Sequence, residues 1–252
     1  MKIINVKQGS EEWLKIRLNH CTASEASAMM GKSPHMSRNQ LLDLKKGWQF
    51  APHSDFIKAL FRRGHENEAR VMPIAEERLL EQLLPVVCEK TIQGIKFLAS
   101  FDGLGASNIP WENKTPNETL LANTINGVVE AKYFWQLEHQ ALVAGADFVL
   151  FSVSDSTSKN TAFLTYKSLT DRRISLIAGW KQFLIDLNNH ELVAKKEAIT
   201  IIPKVILPNI VVKVTGNEVD TNIVGFLEKI QLLAKSEIGK SLECDLDFSE
   251  KE

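Results

Sequence analysis

Apolar positions in the first third of the chain recur at helical spacing. Glu11 to Leu18 reads as a short amphipathic helix. Thr22-Ala23-Ser24-Glu25 looks like a helix start, with Thr22 or Ser24 placed to cap the run Ala26 to Met30. Lys32 to Ser37 is a polar loop containing Pro34. A longer helix is expected from about His65 to Leu84, because Ala69, Met72, Leu79, Leu80 and Leu83 stay close to a helical period. Pro73 either kinks that helix or marks its start.

The middle of the chain changes period. Val86 to Thr91 and Ile95 to Ser100 predict two short strands, with Gly94 at the turn between them. Asn108 to Asn126 is rich in Asn, Thr and Pro and reads as an excursion loop. Gly127 to Lys132 predicts a third strand, Tyr133 to Ala144 a helix, and Asp147 to Val153 and Thr161 to Lys167 two more strands. Asp171 to Leu187 carries Leu176, Trp180, Phe183 and Leu187 on one helical stripe. Helices, then a strand meander, then strand–helix–strand, then a helix imply an α/β sandwich around a mixed central sheet. Residues 1–190 form the expected domain, and 191–252 a C-terminal appendage. In that appendage Ile201 to Val214 is β-rich, and Ile223, Phe226, Leu227, Ile230 and Leu233 mark an amphipathic helix.

Composition is that of an ordinary globular protein, 44% hydrophobic and 24% charged, with a net charge of -1. The charge is uneven. Residues 1–70 hold 12 Lys/Arg against 7 Asp/Glu, and the last 12 residues hold five acids and one Lys. A basic face near the N-terminus and an acidic tail fit that split. Cys21, Cys88 and Cys244 are far apart and have no metal-site spacing, which suits a reducing, cytoplasmic setting. The opening MKIINVKQGS has no apolar signal core, and no stretch is long enough to span a membrane.

The chemical signal begins at Phe101-Asp102-Gly103, a carboxylate expected where a strand gives way to a turn. On the predicted strand that follows, Glu130 and Lys132 project to one face, since residues i and i+2 share a face. Two acids and an amine at one sheet edge suit metal-assisted phosphodiester hydrolysis. Carboxylates hold a hard cation through oxygen. The cation polarises the phosphate and activates water, and an amine offsets charge in the transition state. A solvated strand face with an ordinary Glu/Lys pair would look the same.

Four blocks narrow the choice. They are Gln8-Gly9-Ser10-Glu11-Glu12-Trp13-Leu14-Lys15-Ile16-Arg17 with Thr22-Ala23-Ser24-Glu25; Gly64-His65-Glu66-Asn67-Glu68-Ala69-Arg70; Asp102-Gly103-Leu104 with Glu130-Ala131-Lys132; and Tyr133-Phe134-Trp135-Gln136-Leu137-Glu138-His139-Gln140. In this order they resemble the phage lambda-type alkaline exonucleases, or viral recombinase nucleases, of the PD-(D/E)XK superfamily. The likeness spans about residues 8–153. It implies a restriction-endonuclease-like core. It also implies that Asp102, Glu130 and the Ala131 backbone carbonyl hold metal, with Glu66 near a second ion. Lys132 would be the catalytic lysine and Gln136 would sit by the nucleophilic water or scissile phosphate. Arg17 and Ser24 would bind a 5′-terminal phosphate. Phe101 stands where the family often has Pro, and the segment between Asp102 and Glu130 is long.

The resemblance implies a Mg²⁺-dependent deoxyribonuclease (Mn²⁺ also serving), with two ions per site. It would digest double-stranded DNA ends 5′ to 3′ in phage-type recombination. A ring-shaped homo-trimer and a single-strand annealing partner are implied as well. An endonuclease of the same fold, or a non-catalytic DNA-end or partner-binding module, are the other readings. Simpler roles also compete residue by residue. Trp13 suits a core anchor. Arg17 could pair with Glu12 or Glu25. Glu66, Glu68 and Arg70 could be exposed helix charges, the reading preferred for Glu68. Lys32, Arg38, Lys45, Lys46, Arg62 and Arg63 could line a DNA groove or simply be solvated.

Overall fold

A computed structural model describes residues 1–48 and 55–192, which fall in one compact unit, Met1–Val193. The expected appendage beyond Leu192 lies outside the described residues. The chain begins with β1 (Lys2–Ile4), α1 (Glu11–Leu18) and β2 (Cys21–Thr22), then a 3₁₀ turn over Ala23–Glu25 and α2 (Ala26–Met29). There follow α3 (Arg38–Lys45), α4 (Asp55–Leu79), β3 (Leu84–Ile92), β4 (Ile95–Leu104), β5 (Pro110–Lys114) and α5 (Glu118–Ile125). The unit closes with α6 (Ala131–Ala144), β6 (Phe148–Ser154), β7 (Thr161–Lys167) and α7 (Thr170–Asn189).

Local chemistry accounts for the boundaries. Ser10 caps α1 by accepting from the Trp13 N–H, and Ser37 with Gln40 forms a capping box on α3. The expected cap on α2 differs. Thr22 precedes a 3₁₀ turn without bonding it, and Ser24 lies inside that turn. Pro73 sits within α4 and does not start it. The helix stops at Leu79, where Leu80 turns to positive φ. Gln93 and Gly94, both at positive φ, make the tight β3–β4 turn. Gly145, left-handed at φ 74, ends α6.

The strands form one seven-stranded mixed sheet among the described residues, in the order β1-β3-β4-β5-β6-β7, with β2 pairing parallel to β4. This is the expected α/β architecture, with helices on both faces. Two expectations fail in its centre. The predicted loop 108–126 contains β5 and α5, and β5 pairs antiparallel with β4 and parallel with β6. The predicted strand Gly127–Lys132 does not exist. Gly127 turns at φ 73, Glu130 is the N-cap residue of α6, and Ala131 and Lys132 are in its first turn.

Helix α4 covers one sheet face through Val71 and Ala75, packed on Trp111 and Leu150. Helix α6 covers the other. Its C-terminal half joins α2, α3 and α7 over Phe97, Ala99 and Phe101, and Leu137 and Ala141 meet α5 and β6. A register shift interrupts the β3–β4 ladder beside Asp102. Leu84 pairs with Leu104 but Val86 pairs with Phe101, so β4 takes three steps where β3 takes two. The extra residue falls at Asp102–Gly103 and reverses the alternation. Phe97, Ala99, Phe101 and then Leu104 therefore belong to the same α6-side core.

Candidate active site

The β4–β5 ladder pairs Gly103 with Trp111, and Asp102 and Glu112, the next residues along the two strands, lie close enough for their charges to act on one another. Asp102 is buried, and its Oδ2 accepts the Asn113 N–H at 2.8 Å. Glu112 and Lys114, two residues apart on β5, share a face. Their side chains form an ion pair. Glu112 is 2% exposed and also accepts from two amides of α6, Gln136 Nε2 at 2.7 Å and Gln140 Nε2. Behind the strand, Asn113 accepts the Ser152 hydroxyl at 2.7 Å, and that hydroxyl accepts from the Trp111 indole at 2.8 Å. These bonds tie β5 to β6 and hold the acidic cluster on a rigid strand.

The charges are tightly coupled. Burial pushes the Asp102 carboxyl well above its usual range, and the nearby Glu112 and Glu68 carboxylates push it further. Lys114 and the Asn113 N–H oppose that shift. Burial alone would lower Lys114, but the Glu112 and Asp102 charges outweigh it and the ammonium is held more firmly than usual. Two carboxylates thus act on one partly buried lysine, and a third, Glu68, acts on Asp102. Among the described residues no three His, Cys, Asp or Glu side chains are already gathered into a ligand shell. The donors present are nonetheless carboxylate oxygens, the set a hard divalent cation takes.

The expected site residues do not gather at one place. Asp102 and Gln136 meet at Glu112. Glu130 and Lys132 pair with each other at 2.8 Å at the start of α6, and Glu130 also accepts from Asn123 at 3.2 Å. That pair holds the Lys132 ammonium above its usual range. Lys132 Nζ lies 4.9 Å and Lys114 Nζ 5.5 Å from the centre of the Tyr133 ring. The Ala131 carbonyl lies inside α6, where the helical ladder uses it. Glu66 is 60% exposed and lies 3.9 Å from Arg62. Its neighbour Glu68 is the α4 acid that acts on Asp102. Glu112-Asn113-Lys114 is itself a Glu-X-Lys, ten residues after Asp102, that the sequence reading does not single out.

Arg17 and Ser24 form a second cluster. Both terminal nitrogens of Arg17 lie 3.1 Å from Ser24 Oγ, and one also meets Glu25 at 3.1 Å. The guanidinium stacks 4.4 Å from the Trp13 ring. Trp13 in turn donates to Ser100 of β4 at 3.0 Å, so it anchors α1 to the sheet. The Lys45 side chain is buried and spends its ammonium on Glu25, the Arg17 carbonyl and the His20 carbonyl. It is a strut for this cluster, not a groove or surface charge. Arg38 pairs with Asp186 of α7, and Arg62 is exposed. The 3₁₀ turn and α2 connect this cluster to α6, where the Ser27 hydroxyl donates to the Lys132 carbonyl at 2.6 Å.

The YqaJ-like viral recombinase domain matches residues 12–147, a span that holds both clusters. The chain belongs to that family. Three solved structures share its fold. An alkaline exonuclease of Laribacter hongkongensis is 23% identical, with a TM-score of 0.58, over 71% of this chain and 93% of that one. The same exonuclease in complex with dAMP gives 24% identity and a TM-score of 0.59, with the same coverage. A phage-related exonuclease of Haemophilus somnus is 9% identical, with a TM-score of 0.50, over 68% of this chain and 95% of that one. A comparison with curated proteins finds no match. The resemblance to lambda-type alkaline exonucleases and the restriction-endonuclease-like fold are therefore those expected from the sequence. No described helix is long and apolar enough to cross a membrane.

Proposed function

We propose that this recombinase-family chain is a metal-dependent DNA exonuclease that digests double-stranded ends 5′ to 3′. The observation that carries this reading is Asp102 beside Glu112-X-Lys114 on adjacent strands, with Gln136 bonded to Glu112. In this reading the roles first given to Glu130 and Lys132 pass to Glu112 and Lys114, and that of Glu66 passes to Glu68. Asp102 and Glu112 would hold a divalent cation such as Mg²⁺, with Glu68 as a third carboxylate. When bound, the cation supplies Lewis-acid polarisation of the phosphate and a more acidic water. Lys114 neutralises charge that develops on the phosphate oxygens, and its firmly held proton suits it to donate hydrogen bonds there. Gln136 orients Glu112 and offers its remaining polar groups to water at the scissile bond.

Arg17 and Ser24 are the candidate 5′-phosphate site. Guanidinium forks match phosphate oxygens, and the exposed Ser24 hydroxyl already meets both Arg17 nitrogens. The family resemblance also supports a ring-shaped homo-oligomer working beside a single-strand annealing protein in phage-type recombination. Digestion of a linear duplex in Mg²⁺ tests the site. Glu112→Gln and Lys114→Ala each lose at least roughly 10²-fold in rate, whereas Glu130→Ala and Lys132→Ala keep most of it. The opposite ranking would return the site to α6. Rapid cutting of closed circular DNA by the wild type would replace exonuclease with endonuclease.

A further inference from the structure

Gln140 has no part in the reaction as described, yet it is tied to the reaction centre. It is fully buried, one turn beyond Gln136 on the same face of α6. Gln136 Nε2 donates to Glu112 Oε1, and Gln140 Nε2 donates to Glu112 Oε2. One amide alone would leave the carboxylate free to turn about its last, soft torsion. Two amides on different oxygens, both carried by one rigid helix, fix its plane.

The same bond orients Gln140. An ionised carboxylate only accepts, so the amide nitrogen must face it. Gln140 Oε1 is then left buried with no hydrogen-bond partner among the described residues. An unpaired buried acceptor destabilises a fold, and methionine would fill a similar volume without one. Packing therefore gives no reason for an amide at this position. We infer that Gln140 is a positioning residue that holds the Glu112 carboxylate in its metal-binding orientation and lowers the stability of the fold in doing so. This rests on the reading of Glu112 as a metal ligand.

The experiment uses the full chain without DNA. Mn²⁺ affinity is measured by electron paramagnetic resonance, and thermal melting is followed without metal. Gln140→Met is expected to bind Mn²⁺ roughly 10- to 100-fold more weakly, the usual effect of losing a partner that orients a ligand. Its melting temperature is expected to equal or exceed that of the wild type, and excess Mn²⁺ to restore DNA digestion. Unchanged affinity overturns the inference, as does a loss of affinity accompanied by a lower melting temperature. Glu112→Gln separates the two levels. If that variant also binds Mn²⁺ normally, the metal-site reading itself has failed, whereas a Glu112→Gln defect beside a normal Gln140→Met leaves only Gln140 without its role.

Discussion

Asp102 lies buried between Glu112 and Glu68, and its carboxyl therefore holds a proton more tightly in the folded chain than in the unfolded one. The sign follows by linkage. Where the folded state binds more protons, stability falls as pH rises. For Asp102 the window runs from the ordinary aspartate value upward to its raised folded value. Below it both states are protonated and nothing is lost; above it the full destabilisation is present. Asn at this position keeps an acceptor for the Asn113 N–H and removes the charge. Asp102→Asn is thus expected to melt higher than the metal-free wild type at pH 8, by about 3 °C or more. The gap should close toward pH 4, and the variant should not digest DNA. Melting curves across pH check this, and an unchanged or lower melting temperature at pH 8 would contradict it. Arg17 belongs to the same scale. Arg17→Ala should erase any preference for 5′-phosphate over 5′-hydroxyl ends while leaving slow digestion of both. A preference that survives would remove Arg17 from the phosphate site.

At the scale of elements, the site depends on β4 and β5 lying close together. The register shift in β4 falls between Phe101 and Leu104, and Gly103 lets β4 approach its neighbours. A Cβ at Gly103 would come within 2.9 Å of Leu83 Cβ and Trp111 Cε3. Neither can withdraw easily, because both are buried in the core under α4. Gly103→Ala should destabilise the unit by roughly 1–3 kcal/mol, the usual cost of overpacking. It should also slow digestion by moving β5 against β4. Denaturant titration beside a rate measurement would check both effects, and a stable, fully active variant would show that the contact relaxes freely. The Glu130–Lys132 pair, by contrast, sits at the start of α6 and not on a strand.

At the scale of the whole molecule, the domain is ordered around a centre that carries three carboxylates and one lysine. A cation that binds only the folded state would stabilise all of it by mass action. At a hundred times its dissociation constant, Mn²⁺ should raise the melting temperature by roughly 5–10 °C. Asp102→Asn and Glu112→Gln should abolish that shift, and a chelator should reverse it in the wild type. A shift that persists in both variants would place the ion elsewhere.

Local pattern was enough for much of this fold. The apolar periods of α1, α6 and α7, the β3–β4 hairpin with its turn at Gly94, and strands β6 and β7 all follow from nearest-neighbour chemistry. The family resemblance nominates Asp102, Gln136, Arg17 and Ser24, and the fold brings Gln136 to Glu112 and Arg17 to Ser24. Strand β5 could not be read this way. Pro110-Trp111-Glu112-Asn113-Lys114 is short, charged and flanked by turn residues, and it is a strand because β4 and β6 bond it on both sides. Val128-Val129-Glu130-Ala131-Lys132 alternates like a strand, yet it precedes a strong helical run that recruits Ala131 and Lys132. Two Glu-X-Lys segments thus competed for one role, and their residue types alone could not rank them. In the proposed site the preference for Glu112 rests on tertiary structure, because only the assembled fold brings Glu112 beside Asp102 and Gln136 and Gln140 onto its two oxygens.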